Sequence, residues 1–437
     1  MSKNELLKIL QDWNFWESAP QTGVPRPEYT SRIRSCLDEK QVVVVTGPRR
    51  SGKSFLMRQA VKELIAAGKD RGEILFVNFE DPRFVRLDTQ LLDEIFSVYK
   101  EFLAPKGAPV LFLDEVQEIT GWERWVRAFH ELGKGKICIS GSNAKLLSRE
   151  LGTVLTGRHL DVSVSPLSWE EFRSFKGRDA APAPLLNEYL EFGGFPEVAL
   201  SSRKQELLLS YFEDILAKDL IRRFRVRKAE QMKSLAKYYF SNIAALATFN
   251  SLEKSLGINA ATIEKFSGYF VDAYLLSFVK RFSWKVREQE KSPRKVYSVD
   301  TGLANAVGFR FSQNSGALAE NLVFSQLQRR QAADSSLEIY YWKDAQHRET
   351  DFVLKQGKAA THAIQVCWDI RDERVRQREL KSLRLAMDDL ELKEGLVITN
   401  EHEEELAAAG KTIRFISLMS FLRGPASTPA GGRVQGN

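Results

Sequence analysis

Between residues 41 and 166 the chain switches repeatedly between unbroken apolar runs and helical spacing. QVVVVT (41–46) is a continuous β-branched run, the pattern of a strand buried on both faces. After a polar octet comes FLMRQAVKELIAAG, whose apolar positions fall at helical spacing and which Gly68 closes. EILFVNFED, PVLFLDEV and KICISGS repeat the buried run, separated by the helical patterns LLDEIFSVYKEFL and WERWVRAFHELG. HLDVSVSP adds one more strand, ending at Pro166. Strands alternating with helices predict an α/β fold: a parallel sheet with helices on both faces.

The pattern then changes. GRDAAPAPLL (177–186) has the proline, alanine and charge of a linker. Residues 185–245 are mostly helical in spacing; 250–311 read as helix, turn, helix and two strand-like pieces; 316–422 form a second mixed α/β region. The expected division is an α/β core over 1–176 and a linker with helical lid over 177–228. A winged helix-turn-helix over 229–312 and an α/β domain over 313–422 follow. Residues 423–437 hold too little apolar surface to fold and read as a disordered tail.

Composition narrows the setting. The 437 residues are 43% hydrophobic and 28% charged, ordinary for a globular chain that can bury several cores. Cys36, Cys138 and Cys367 are far apart and lack metal-ligand spacing, which points to a reduced compartment and away from structural zinc. MSKNELLKILQDW lacks the apolar run of a signal peptide, and no stretch approaches the ~18 apolar residues of a membrane span. A cytoplasmic protein with no membrane partner is the expectation. The net charge of +7 suits an anionic partner, nucleic acid included.

The octet after the first strand, GPRRSGKS, fits G-x-x-x-x-G-K-[ST]. Such a loop wraps a phosphate chain with its own backbone N–H groups, and the helix behind it points its positive end at the anion. Gly47 and Gly52 permit the tight path, Lys53 is the point charge for the β and γ phosphates, and Ser54 offers a hydroxyl to Mg²⁺. The expected contacts with ATP are Gly47, Pro48, Arg49, Arg50, Ser51, Gly52, Lys53, Ser54 and Phe55. In PVLFLDEV, Asp114 ends a buried strand where a carboxylate would hold the Mg²⁺ water shell. Glu115, directly after it, is placed to polarise the attacking water. A strand lies between the two motifs in sequence, which suits a sheet where a further strand separates them.

Other candidates are less constrained. In SGSNAKLLS, Ser142 or Asn143 is either a γ-phosphate sensor or a helix cap. Arg158, in TGRHLDVSV, and Arg149, in SRELG, are candidates for an arginine supplied to a neighbouring subunit's phosphates, with Arg158 preferred. Each is otherwise a surface charge. Such a finger implies self-association as a ring or dimer. Arg26 and Tyr29, in VPRPEY, precede the first strand and are candidates for base or phosphate contacts.

SLEKSLG, ending at Gly257, and NAATIEKFSGYFVDAYLL, capped by Asn259, have the form of a helix-turn-helix. Ile263, Phe266, Phe270 and Ala273 recur at helical spacing and belong to a core. Ala261, Thr262, Glu264 and Lys265 are left outside, a poor set for reading bases. KRFSWKVREQEKSPRK (280–295), the expected wing, carries seven basic residues against two acidic, and IRRFRVRK (221–228) adds five more. Lys285, Arg287, Arg294 and Lys295 are the candidate contacts to DNA phosphates, which carry no sequence information. A winged helix that holds only a protein partner is the alternative. Two functions compete: ATP turnover that drives DNA remodelling, on duplex or branched DNA, and a slow nucleotide-gated switch.

GPRRSGKS, VLFLDEVQEI, SGSNAKLLS, LTGRHLDVSVSPLSWEEF, YLEFGGFPEV, YFEDILAKDL, KVYSVDTGLANAV, ENLVFSQL and ETDFVL together resemble a group of bacterial and archaeal AAA-type (AAA+) P-loop ATPases carrying a C-terminal domain of unknown function. The resemblance covers nearly the whole chain. GGFPEV and TGR…PLSWEEF are its most specific parts. It implies an AAA+-like core, a winged helix and a C-terminal domain with the fold of PD-(D/E)XK nucleases.

That nuclease fold places a helix glutamate, a strand aspartate and a Glu-x-Lys pair around a divalent metal. Glu320, in ALAENLVF, matches the first and Asp351, in ETDFVL, the second. AIQVCW puts Gln365 and Cys367 where the glutamate and lysine belong. Neutral glutamine binds Mg²⁺ less strongly than a carboxylate, and soft sulfur suits neither Mg²⁺ nor Mn²⁺. The expectation is a retained fold without cleavage, unless Lys355 or Lys343 reaches in from a neighbouring strand.

Overall fold

The apolar runs of the N-terminal third become five strands. The computed structural model describes residues 1–142, 157–177, 179–309, 314–408 and 410–424, so Asn143 and Arg149 lie outside the described residues. β1 (Val42–Thr46), β2 (Ile74–Asn78), β3 (Val110–Asp114), β4 (Lys136–Gly141) and β5 (His159–Ser163) lie in the order β2-β3-β4-β1-β5, each neighbouring pair parallel. The strand separating β1 from β3 is β4, while β2 takes the edge. β1 and β3 are buried along their whole length, as continuous apolar runs require. Two apolar layers result. Val42 and Val44 face one with Leu75, Leu111 and Ile139. Val43 and Val45 face the other with Phe76, Phe112 and Cys138.

The chain divides into two compact units: Met1–Pro166 with the short segment Asp272–Tyr274, and Leu167–Val271 with the chain from Leu275. The first unit ends before residue 176 for a physical reason. The helix Trp169–Lys176 turns two fully buried rings, Trp169 and Phe172, onto Tyr189, at centroid distances of 5.8 and 5.0 Å. Tyr189 belongs to the helix Pro182–Phe192, so much of the expected linker is helix, opened by a proline at its start.

In the second unit, a helix Ala229–Ser241 leads to β6 (Leu246–Ala247), then helices Phe249–Leu256 and Ala260–Asp272, then β7 (Leu276–Arg281) and β8 (Arg294–Ser298). Gly257, at φ 65°, ends the first of the paired helices, and Asn259 Oδ1 accepts from the Ala261 N–H at 3.0 Å. β8 pairs antiparallel with both β6 and β7, and the arm between β7 and β8 contains a helix, Val286–Lys291. Beyond it lie the helix Ser315–Ala333, β9 (Leu337–Lys343), β10 (Glu349–Gln356) and β11 (Ala359–Val366). The helix Glu373–Asp389, β12 (Glu394–Thr399), β13 (Glu404–Ala408) and β14 (Lys411–Ser417) complete it. Their strands share one sheet. β7 pairs with β9 at Lys280↔Tyr340 and Arg281↔Tyr341, giving one nine-stranded sheet, β13-β14-β12-β11-β10-β9-β7-β8-β6.

GGFPEV and SVDTG, far apart in sequence, meet in this unit. The buried Asp300 carboxylate accepts from the Gly194 N–H at 2.7 Å and caps the helix Thr301–Val307 through the Leu303 N–H. A Cβ at Gly193, φ 72°, would lie 2.0 Å from Asp300 Oδ1, so only glycine admits the carboxylate.

Candidate nucleotide site

The loop after β1 is shaped by two glycines. Gly47 has φ 144°, and a Cβ there would lie 2.1 Å from the Val164 carbonyl oxygen. Gly52, at φ 96°, caps the helix Lys53–Ala66 with no side chain over its first N–H groups, which are left to an anion. Arg50 also takes a positive φ, 68°. The Lys53 side chain is buried against the loop. Its ammonium donates to the Gly47 and Pro48 carbonyls, both at 3.1 Å, and stands 3.7 Å from Glu115 Oε1.

β3 delivers the acidic pair. Asp114 is fully buried, and burial together with the adjoining Glu115 pushes its carboxyl up to about 6. Ser140, on neighbouring β4, donates to Asp114 Oδ1 and accepts from the Glu115 N–H at 2.9 Å, so one hydroxyl fixes both acids. Asp114 Oδ2 is buried with no hydrogen-bond partner, and the Ser54 hydroxyl lies close enough to lower the Asp114 pKa. An unpaired carboxylate oxygen beside a hydroxyl is a hard donor set that fits Mg²⁺, which keeps most of its shell as water and phosphate. Glu115 turns out of the strand with left-handed backbone, φ 52°, and its carboxylate accepts from the Gln117 amide.

Ser140 and Gln117 were not singled out from sequence. A lone hydroxyl inside the apolar run KICISG was the available signal for Ser140.

Arg26 is a correction. Its guanidinium is buried, donating to the Ser51 carbonyl at 2.9 Å and the Ser165 carbonyl at 3.0 Å while lying 4.5 Å over the Tyr29 ring. These contacts brace the loop through Ser51. Gln59 adds to this brace, donating to the Thr22 and Val24 carbonyls and accepting from the Arg26 N–H. Arg49 pairs with Glu80 at 2.7 Å, Phe55 is exposed beside Gly23, and Ser142 is buried just past β4. Arg158 pairs with Glu131, and its carbonyl accepts from the Val42 N–H at the start of β1. The phosphate loop leaves the other end of that strand, about 13 Å away at ~3.3 Å per residue. Arg158 therefore cannot serve its own chain's phosphates.

In the second unit, Lys285 and Arg287 are exposed, with Lys285 3.5 Å from Glu288; Arg294 is half-buried against Glu290 at 3.2 Å. The Phe224 ring stacks on Tyr269 at 3.7 Å, which ties the basic segment to the helix Ala260–Asp272 at that point.

Lys295 is the second correction: it is buried, so its ammonium is not on the surface of the arm. Its ammonium lies 2.9 Å from Glu320, 2.8 Å from Glu349 and 2.7 Å from Asp351. Burial opposes its charge, yet Asp351 and Glu320 outweigh it and hold the ammonium well above the usual lysine range. Three carboxylates share one cation, and burial with Asp351 pushes Glu320 up to about 7 although Lys295 and the Tyr297 hydroxyl (2.7 Å) pull it down. Asp351 also accepts from the Val366 N–H at 2.8 Å, and its own N–H donates to Gln365 Oε1 at 3.3 Å. The Cys367 thiol is buried, and burial pushes it up to about 11. Lys343 reaches only Glu349, at 3.6 Å, and Lys355 pairs with Glu338. The cation at the centre of this cluster, between Glu320 and Asp351, comes from β8; of the two lysines considered only Lys343 reaches its edge, at Glu349.

Comparison with known proteins agrees with the first unit's geometry. Residues 39–173 match the model of an AAA domain, and two domains of unknown function, DUF8612 and DUF4143, match 183–315 and 315–421. The chain is 31% identical over 370 residues to the uncharacterized protein MJ1544 of Methanocaldococcus jannaschii, covering 80% of each. An uncharacterized protein of Haemophilus influenzae is 29% identical over 360 residues, covering 79% of this chain and 87% of that one. Among solved structures, the Walker-type ATPase PABY2304 of Pyrococcus abyssi is similar at 16% identity and a TM-score of 0.45, covering 67% of this chain and 99% of its own. The chain belongs to the family of the Methanocaldococcus protein, and its first unit carries an AAA-type ATPase domain.

Proposed function

We propose that the protein hydrolyses ATP with Mg²⁺ and uses the turnover to remodel DNA held by its second unit. The observation that carries the ATPase reading is the convergence of Lys53, Ser54, Asp114 and Glu115 at the ends of β1 and β3, with Asp114 Oδ2 unpaired. The loop and the helix behind it bind the phosphates, and the Lys53 ammonium exchanges the Gly47 and Pro48 carbonyls for phosphate oxygens. Ser54 and Asp114 would hold Mg²⁺, which neutralises phosphate charge when bound. Glu115, held by Ser140 and Gln117, takes the proton of the attacking water.

The second unit's helix, strand, helix, turn, helix and two-strand order supports a winged helix, and its basic segments support contact with DNA backbone. The test is ATPase rate with and without single-stranded, duplex and branched DNA. Stimulation is expected; a rate indifferent to all three favours the nucleotide-gated switch.

Arg158 points to assembly. If it completes a neighbour's site, mixing Arg158→Ala with Lys53→Ala chains restores part of the activity each lacks. A concentration-independent rate with no complementation removes the finger. The C-terminal part is proposed not to cleave DNA, because Lys295 satisfies the carboxylates that a metal would need. Cleavage in Mg²⁺ or Mn²⁺ that vanishes in Asp351→Ala overturns this.

A further inference from the structure

We infer that Trp284, at the tip of the arm between β7 and β8, is a stacking platform for an unpaired base, so that the arm prefers single-stranded DNA. The inference rests on the DNA reading above and specifies its substrate. Trp284 is 65% exposed and Val286, two residues on, 68%; no other tryptophan among the described residues is exposed. The ring is nonetheless held. It meets Phe282 edge-on at 5.0 Å, and the buried Phe282 in turn meets Tyr340 at 5.6 Å. The backbone beneath is fixed as well: Ser283 accepts from the Lys285 N–H at 3.1 Å, and the Ser283 carbonyl accepts from the Gln289 amide at 2.6 Å.

The charges around the ring decide what it meets. Both carboxylates of the arm are already engaged, Glu288 by Ser283 and Lys285, and Glu290 by Lys280 and Arg294. Arg287 and Lys291, four apart on the short helix and so on one side of it, have no carboxylate partner among the described residues. An aromatic ring on the same arm as unneutralised cations is complementary to a strand offering bases and phosphates together. In duplex DNA the bases are stacked on one another and closed to Trp284, whereas the phosphates stay open to Arg287 and Lys291.

The two sources of affinity separate by experiment, using the full chain with a labelled oligothymidylate and a blunt duplex of equal length at low salt. Trp284→Ala is expected to weaken single-strand binding about 5- to 100-fold and to leave duplex binding within about twofold, with Trp284→Tyr recovering most of the loss. Arg287→Ala with Lys291→Ala should weaken both and reduce the salt slope by about two. Because the indole is exposed, the thermal midpoint of Trp284→Ala should stay at the wild-type value. Unchanged single-strand affinity, or an equal loss on both DNAs, overturns the stacking role while leaving the DNA reading standing. No binding of the wild-type protein to either DNA overturns that reading itself, and the arm is then a protein-docking element.

Discussion

Glu115→Gln is expected to bind ATP as the parent does and to turn it over about 10²–10⁴-fold more slowly, the usual worth of a positioned general base. The amide keeps the volume of the carboxylate and one acceptor oxygen for the Gln117 amide, while the proton acceptor and the negative charge facing Lys53 are lost. Lys53→Ala should fail earlier, at binding, because the phosphates lose the cation that the loop carbonyls hold ready. A filter or fluorescence assay for bound nucleotide, run beside phosphate release, separates the two. Wild-type turnover in Glu115→Gln would remove Glu115 from the role of base.

Lys295→Met is expected to cost the second unit about 3–5 kcal/mol, because the side chain of similar size leaves the buried Asp351 and the largely buried Glu320 without a cation, while Glu349 keeps Lys343. The loss should depend on pH in a stated direction. A carboxyl whose folded pKa is raised binds a proton in the folded state that the unfolded chain has already released. Its contribution is present at low pH and disappears as pH rises through the folded value. Glu320, already pushed up to about 7, should move higher without Lys295, so the variant should be closest to wild type near pH 5 and weakest near pH 8. Urea midpoints at the two pH values measure this. A small deficit at both would mean that the four charges are better solvated than their burial implies.

The first unit was legible in sequence because its signals are local. A five-residue apolar run buried on both faces, a glycine-framed loop and an acidic pair at a strand end each announce themselves within ten residues. What was missed there depends on neighbours across the sheet: Ser140 matters only because β4 lies beside β3, and Arg26 only because Ser51 and Ser165 come together behind the loop. In the second unit the same limit was more costly. Lys295 sits in a run of basic residues, where charge counting reads it as surface, and its three acidic partners follow at 320, 349 and 351. The pairing of β7 with β9 spans two residue pairs, too short to leave a periodic trace. The helix within 177–186 starts earlier than its spacing suggested because proline, counted there as a linker residue, also opens helices.

The shared sheet also bears on how this half of the protein is inherited. Two family models meet at residue 315, as if two portable modules had been joined there. A gene fragment ending at that point would encode β7 with its β9 edge bare and Lys295 enclosed without any of its acids. The complementary fragment would encode Glu320 and Asp351 crowded together without Lys295, the cation between them. Recombination between those modules is therefore penalised in both products, and the two stretches should descend as a single piece.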